Sequence, residues 1–227
     1  GFRSYLREKF ETTENLNKAW GMARWSLDYN SFEEIEPPYP NQWRHPSLRK
    51  AWWDYQCHLI KTFSDEQAEI LHDYGCCNVG TDMMPHNFLD YYAVNEKLDV
   101  VQYNHYDAAD GLFRNAFAYD FLRCVKDKPF WVTETQVGWN GSEFAECGYR
   151  PVGNCYVNTW LPIAKGAEMN LYWLYRAHPN GHEIGHGALF SSAGRAYRVS
   201  EEVKKASEEF AKCEKYLTET KIKSKIA

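Results

Sequence analysis

The chain has 227 residues and a formal net charge of −5, so charge alone draws neither nucleic acid nor an anionic lipid surface to it. Its apolar runs fall well short of the roughly 20 residues that cross a bilayer, which excludes a membrane-spanning helix. Nine Trp, sixteen Tyr and twelve Phe are a heavy aromatic load, suited to packing between helices and sheet and to stacking on the apolar faces of sugars.

Taken in chain order, residues 2–20 predict a helix, with Tyr5, Leu6, Phe10, Leu16 and Trp20 as its apolar stripe and a local cap near Thr13 or Asn15. Residues 22–45, broken by Glu36-Pro37-Pro38-Tyr39-Pro40, read as an excursion loop. Pro46 opens a long helix that ends near Tyr74, with Gly75 just beyond it. The pattern then changes to short apolar strands alternating with helices. The expected strands are 77–81, 98–103, 130–133 and 170–175, and the expected helices are 87–97, 113–125, 158–166 and 201–220. Such alternation implies a parallel α/β sheet buried on both faces. Four parallel strands cannot close a barrel. An open doubly wound sheet would carry a G-x-G-x-x-G turn, which the Gly80-Thr81-Asp82 segment lacks. The reading is therefore the second half of a (β/α)8 barrel, strands five to eight, in a single partial catalytic domain over 1–227.

The stretch Lys128-Pro129-Phe130-Trp131-Val132-Thr133-Glu134 carries the most chemistry. An apolar strand ends abruptly in a carboxylate, at the carboxyl edge where parallel folds collect functional groups. Simple alternation places Phe130, Val132 and Glu134 on one face and Trp131 and Thr133 on the other. A retaining glycosidase needs two carboxyl groups about 5–5.5 Å apart, one to attack the anomeric carbon and one to shuttle a proton. Glu134 suits the attacking role; a merely solvated strand-end carboxylate is the alternative.

Several segments together resemble glycoside hydrolase family 42, the β-galactosidases. They are Tyr5 to Phe10, Leu16 to Gly21 with Trp25-Ser26, Leu98 to Val101 on to Tyr106, and Lys128 to Trp131 with Glu134 and Gln136. Ala164 to Ala167, Leu171 to Trp173 and Glu183 to His186 complete the set. The resemblance implies a retaining β-galactosidase that forms a covalent galactosyl-enzyme, with Glu134 as nucleophile at the end of strand seven. It further implies Trp25 and Trp139 as walls of the sugar site, Tyr106 beside the nucleophile, and Glu183 with His186 on galactose hydroxyls. The family's Asn-Glu acid/base motif would lie upstream of this chain, so the isolated chain is expected to be inactive. Another retaining barrel glycosidase, acting on β-glucosides or arabinosides, or an inactive carbohydrate-binding fragment, remains an alternative.

His182-Glu183-Ile184-Gly185-His186 spells H-E-x-x-H, the zinc-peptidase motif. That chemistry needs a helix, whereas Pro179-Asn180-Gly181 precedes the motif and Gly185 lies inside it, so a loop presenting Glu and His to hydroxyls is expected. Seven cysteines without C-x-x-C spacing point to reduced thiols in a cytoplasmic protein. No metal and no cofactor are expected. The expected partners are a galactoside substrate and, because half a barrel leaves strand edges open, further copies of the chain in a homo-oligomer.

Overall fold

The computed structural model describes residues 1–39, 45–83, 89–106, 111–138, 150–219 and 221–222. The chain divides into two compact units, Gly1–Gln67 with Asn87–Val94, and Ala68–His86 with Asn95–Ala227.

In the first unit the expected helix over 2–20 is two helices, α1 (Phe2–Phe10) and α2 (Thr13–Trp20). The break has a local cause. Glu11 takes a left-handed conformation (φ 63°), and the extended Thr12 accepts the Asn15 N–H on its hydroxyl at 3.2 Å, making Thr12 the cap. Gly21, also left-handed, ends α2. The excursion that follows is not bare loop. Met22–Trp25 and Phe32–Glu34 form short 3-10 turns. Met22, Phe32 and Ile35 join Phe2, Leu6, Leu16 and Trp20 in one buried cluster, with Leu48 and Ala51 of α3 (Pro46–Asp73). Asn17 fixes this excursion by exchanging two hydrogen bonds with the Tyr29 backbone, at 2.9 and 3.0 Å. Of the helix expected over 87–97, α4 (Tyr91–Val94) is present; Asp90 accepts the Ala93 N–H at its start.

The second unit holds a parallel sheet in the order β1 (Gln102–His105), β2 (Phe130–Gln136), β3 (Ala167–Trp173). Helices α5 (Leu112–Lys126) and α6 (Asn154–Ala164) make the crossovers, and α7 (Val199–Glu219) packs on α6. Among the described residues three strands are found where four were expected. The segment expected as the first strand runs extended beside β1 but touches it only at intervals. Val79 O accepts from Asp99 and Val100, and Met83 O accepts from Asn104 at 2.8 Å. Asn78 is left-handed, which interrupts a strand at its start. A Cβ at Gly80 would fall 2.5 Å from Gln102 Nε2, so a larger residue there would have to displace the Gln102 side chain. The strand expected over 98–103 begins later because residues 99 and 100 spend their N–H groups on the single Val79 carbonyl.

One face of the sheet is sealed by helices. Phe130 stacks on Tyr119 of α5 (5.6 Å, 18°), and Tyr119 also meets His105 (5.1 Å). Thr159 of α6 lies within hydrogen-bonding distance of the Tyr172 hydroxyl, 2.9 Å. The other face is only partly covered, with Leu171 47% exposed, so burial on both faces does not hold in this unit.

The alternation expected along β2 is also corrected. Tyr103 pairs with Val132 but Asn104 pairs with Glu134, and on the other side Val132 pairs with Asn170 but Thr135 with Tyr172. Strand β2 therefore carries one extra residue, Thr133, against both neighbours: a bulge, which reverses the facing of everything after it. Phe130 and Val132 face the helices and are fully buried, as is Thr135, whereas Glu134 shares the open face with Asn104 and half-buried Thr133.

Candidate active site

Glu134 stands near the carboxyl end of β2, half-buried, and accepts a hydrogen bond from the Tyr106 hydroxyl at the end of β1. Tyr106 is held in turn by Gln136, whose amide donates to the Tyr106 carbonyl at 2.7 Å. Gln136 is fully buried, and the Arg150 guanidinium lies 3.5 Å from its other amide atom. Two residues apart on one strand, Glu134 and Gln136 thus grip the side chain and the backbone of the same tyrosine.

Burial pushes the Glu134 carboxyl above the usual range. The Tyr106 hydrogen bond pulls it back down, and the like charges of Asp82 and Glu183 push it up again. Tyr106 stays protonated far into alkaline pH because it is buried and because its hydrogen bond and nearby charge come from Glu134. It is a fixed donor, and Glu134 is an acceptor whose proton affinity the surroundings have raised.

The loop after β3 adds the rest. β3 ends at a cis peptide between Trp173 and Leu174. Residues 174–177 then run beside 187–190, with Leu174 N–H on Gly187 O (3.2 Å), Leu189 N–H on Leu174 O (3.0 Å) and Ala177 N–H on Phe190 O (2.8 Å). Between these pinned ends, residues 182–185 form successive turns and not a helix, so the H-E-x-x-H letters lack the geometry of the zinc-peptidase motif. His186 is 5% exposed, its ring edge-on to Tyr106 (6.0 Å) and to Trp173 (6.5 Å, 88°). Burial lowers its pKa, Glu183 opposes this and His178 adds to it, so the imidazole is kept neutral. Its Nδ1 is buried without a hydrogen-bond partner among the described residues. Among the described residues no group of three or more His, Cys, Asp or Glu is placed to hold a metal ion.

Of the residues expected at the site, Glu134, Tyr106 and His186 come together, and Glu183 acts on Glu134 and His186 through its charge. Trp25 belongs to the other compact unit, where it is 72% exposed. Trp139 lies outside the described residues. Sequence reasoning passed over Asp82, Asn104 and Trp173. Asp82 follows an extended segment just as Glu134 ends a strand, and the same carboxyl-edge rule would have found it. Trp173 ends β3 in register with Gln136.

The glycoside hydrolase family 42 model, that of β-galactosidases, matches residues 1–213. The chain belongs to this family. It is 28% identical over 195 residues to the β-galactosidase YesZ of Bacillus subtilis, covering 85% of this chain and 29% of that protein. Among solved structures, the β-galactosidase of the Antarctic haloarchaeon Halorubrum lacusprofundi superposes with a TM-score of 0.83 at 28% identity, over 92% of this chain and 34% of its own. That of the psychrophilic Marinomonas ef1 gives 0.83 at 27%, over 95% and 36%. This family-42 chain thus has an α/β fold like those enzymes and spans about a third of their length. No helix among its described residues is long and apolar enough to cross a membrane.

Proposed function

We propose that the chain forms strands five to eight of a (β/α)8 barrel in a retaining β-galactosidase, with Glu134 as its nucleophile. The observation that carries this is the place of Glu134 near the carboxyl end of a parallel strand, hydrogen-bonded by the Tyr106 hydroxyl, in a family-42 chain. The Glu134 carboxylate attacks the anomeric carbon of a terminal β-galactoside. The bond to the aglycone breaks, and the leaving oxygen takes a proton from a second carboxyl supplied by chain upstream of Gly1. Water, deprotonated by that same carboxyl, then cleaves the galactosyl ester and frees Glu134. Tyr106 fixes the orientation of the attacking carboxylate. Glu183 and the uncommitted Nδ1 of His186 take sugar hydroxyls, and Trp173 offers a ring beside them. The step needs neither metal nor cofactor. Homo-oligomerisation and a cytoplasmic location belong to the same proposal; the absence of a disulfide at Cys76, Cys77, Cys124, Cys155 and Cys213 among the described residues supports a reducing compartment.

The test is turnover of nitrophenyl β-galactoside, β-glucoside and α-arabinoside by the full-length protein and its Glu134→Gln variant. Galactoside turnover that disappears in the variant supports the reading. Undiminished turnover by Glu134→Gln refutes it, and preference for either other sugar moves the chain to a different retaining specificity.

A further inference from the structure

Three side chains from three chain segments meet next to the β2 bulge. The Asp82 carboxylate accepts the Thr133 hydroxyl on Oδ1 at 2.8 Å and the Asn104 amide on Oδ2 at 2.9 Å. Thr133 Oγ1 also lies 3.1 Å from Asn104 Oδ1, closing a triangle. The positions are telling. Thr133 is the extra residue of the bulge, Asn104 is the register partner of Glu134, and Asp82 follows the segment that runs along β1. An extra residue in a strand has no ladder partner of its own, so something else must fix its orientation. Only a carboxylate offers two acceptor oxygens to a hydroxyl and an amide at the same time.

We propose that Asp82 is the positioning residue for Glu134: by gripping Thr133 and Asn104 together, it holds the β2 bulge in the register that turns Glu134 from the helix-covered face to the open one. The proposal rests on Glu134 being the nucleophile. Without the bulge, Glu134 would point with Phe130 and Val132 into the helix packing and could not reach a sugar. Asp82 also has a second, separable effect, because its negative charge bears on the Glu134 carboxyl. The other ionisable groups on Glu134 among the described residues are Tyr106, which opposes Asp82, and Glu183, which adds to it, with neutral His186 packed on Tyr106. Removing the charge while keeping a polar amide thus makes the carboxyl easier to ionise.

The experiment uses the full-length enzyme on nitrophenyl β-galactoside, with kcat, KM and the pH dependence of kcat/KM measured for six variants. Asp82→Ala should lose roughly tenfold to hundredfold in kcat, the order expected when a reacting group is displaced by about 1 Å, with KM little changed. Thr133→Val should lose as much, and Thr133→Ser, which restores the hydroxyl, should recover most of that loss. In Asp82→Asn the acidic limb of the kcat/KM profile should move to lower pH, a readout that a purely structural residue would not give. Adding Asp82→Ala to Glu134→Gln should cost nothing further. An Asp82→Ala enzyme within about twofold of wild-type kcat, beside an inert Glu134→Gln, overturns the role of Asp82 and leaves the nucleophile standing. Should Asp82→Ala not fold, a Thr133→Val enzyme within about twofold of wild-type kcat overturns it equally. A fully active Glu134→Gln overturns the nucleophile reading and this proposal with it.

Discussion

Thr135 tests the bulge through stability alone. The reversed facing places Thr135 against the helices, 1% exposed, with its hydroxyl buried and without a partner among the described residues. Thr135→Val keeps the shape and removes that hydroxyl. Leaving a buried polar group unsatisfied costs about 1–3 kcal/mol, so the variant should be more stable by about 1–2 kcal/mol. At a urea m-value of roughly 1–3 kcal/mol/M, the unfolding midpoint of this chain, followed by tryptophan fluorescence, should rise by roughly 0.3–2 M. Phe130→Ala provides the scale in the other direction. It is fully buried and stacked on Tyr119, and its truncation should cost roughly 3–5 kcal/mol. An unbulged strand would instead put Thr135 on the open face, where substitutions stay within about 0.5 kcal/mol. A Thr135→Val midpoint indistinguishable from wild type, beside a strongly destabilised Phe130→Ala, would therefore refute the facing derived for β2.

Three further outcomes are expected. Tyr106→Phe removes the hydrogen bond that lowers the Glu134 pKa, so the acidic limb of kcat/KM in the full-length enzyme should move to higher pH; a limb that moves down counts against the contact. Glu134 is raised above its unfolded value, so its contribution to stability is fully present at low pH and is lost as pH rises through the folded pKa. Glu134→Gln should accordingly melt above wild type at pH 7, with the gap closing on acidification; a gap that widens toward acid reverses the sign and refutes the argument. This chain in isolation should self-associate, with elution moving to larger size as concentration rises in gel filtration, and a monomer at all concentrations removes that expectation.

Much of this molecule could be read from its residues, and the failures share a cause. Periodicity and punctuation placed α3 between Pro46 and Gly75 and α5 within a residue at each end, because both helices announce themselves in local sequence. The strand-end rule found Glu134 before any fold was known. Local reasoning missed whatever a partner strand decides. Nothing in Val132-Thr133-Glu134 marks an inserted residue; the bulge exists only relative to Tyr103-Asn104 and Asn170. The carboxyl-edge rule reaches Asp82, but its grip on Asn104 and Thr133 is not legible locally, since these two donors lie 22 and 51 positions away. The break at Glu11 was missed differently: the apolar stripe from Tyr5 to Trp20 reads as one helix through it, and the cap is Thr12 where Thr13 or Asn15 was expected.

The pinned ends of the loop after β3 make segment 178–186 an exchangeable cassette. Its entry at Ala177 and exit at Gly187 are stitched by backbone bonds that do not depend on which side chains lie between. Insertions or replacements inside that span change the groups presented beside Trp173 at a small cost in chain closure, while the strand beneath keeps its place. Variation of the loop as a unit therefore leaves the hydrogen bonds of Tyr106 with Glu134 and Gln136 in place.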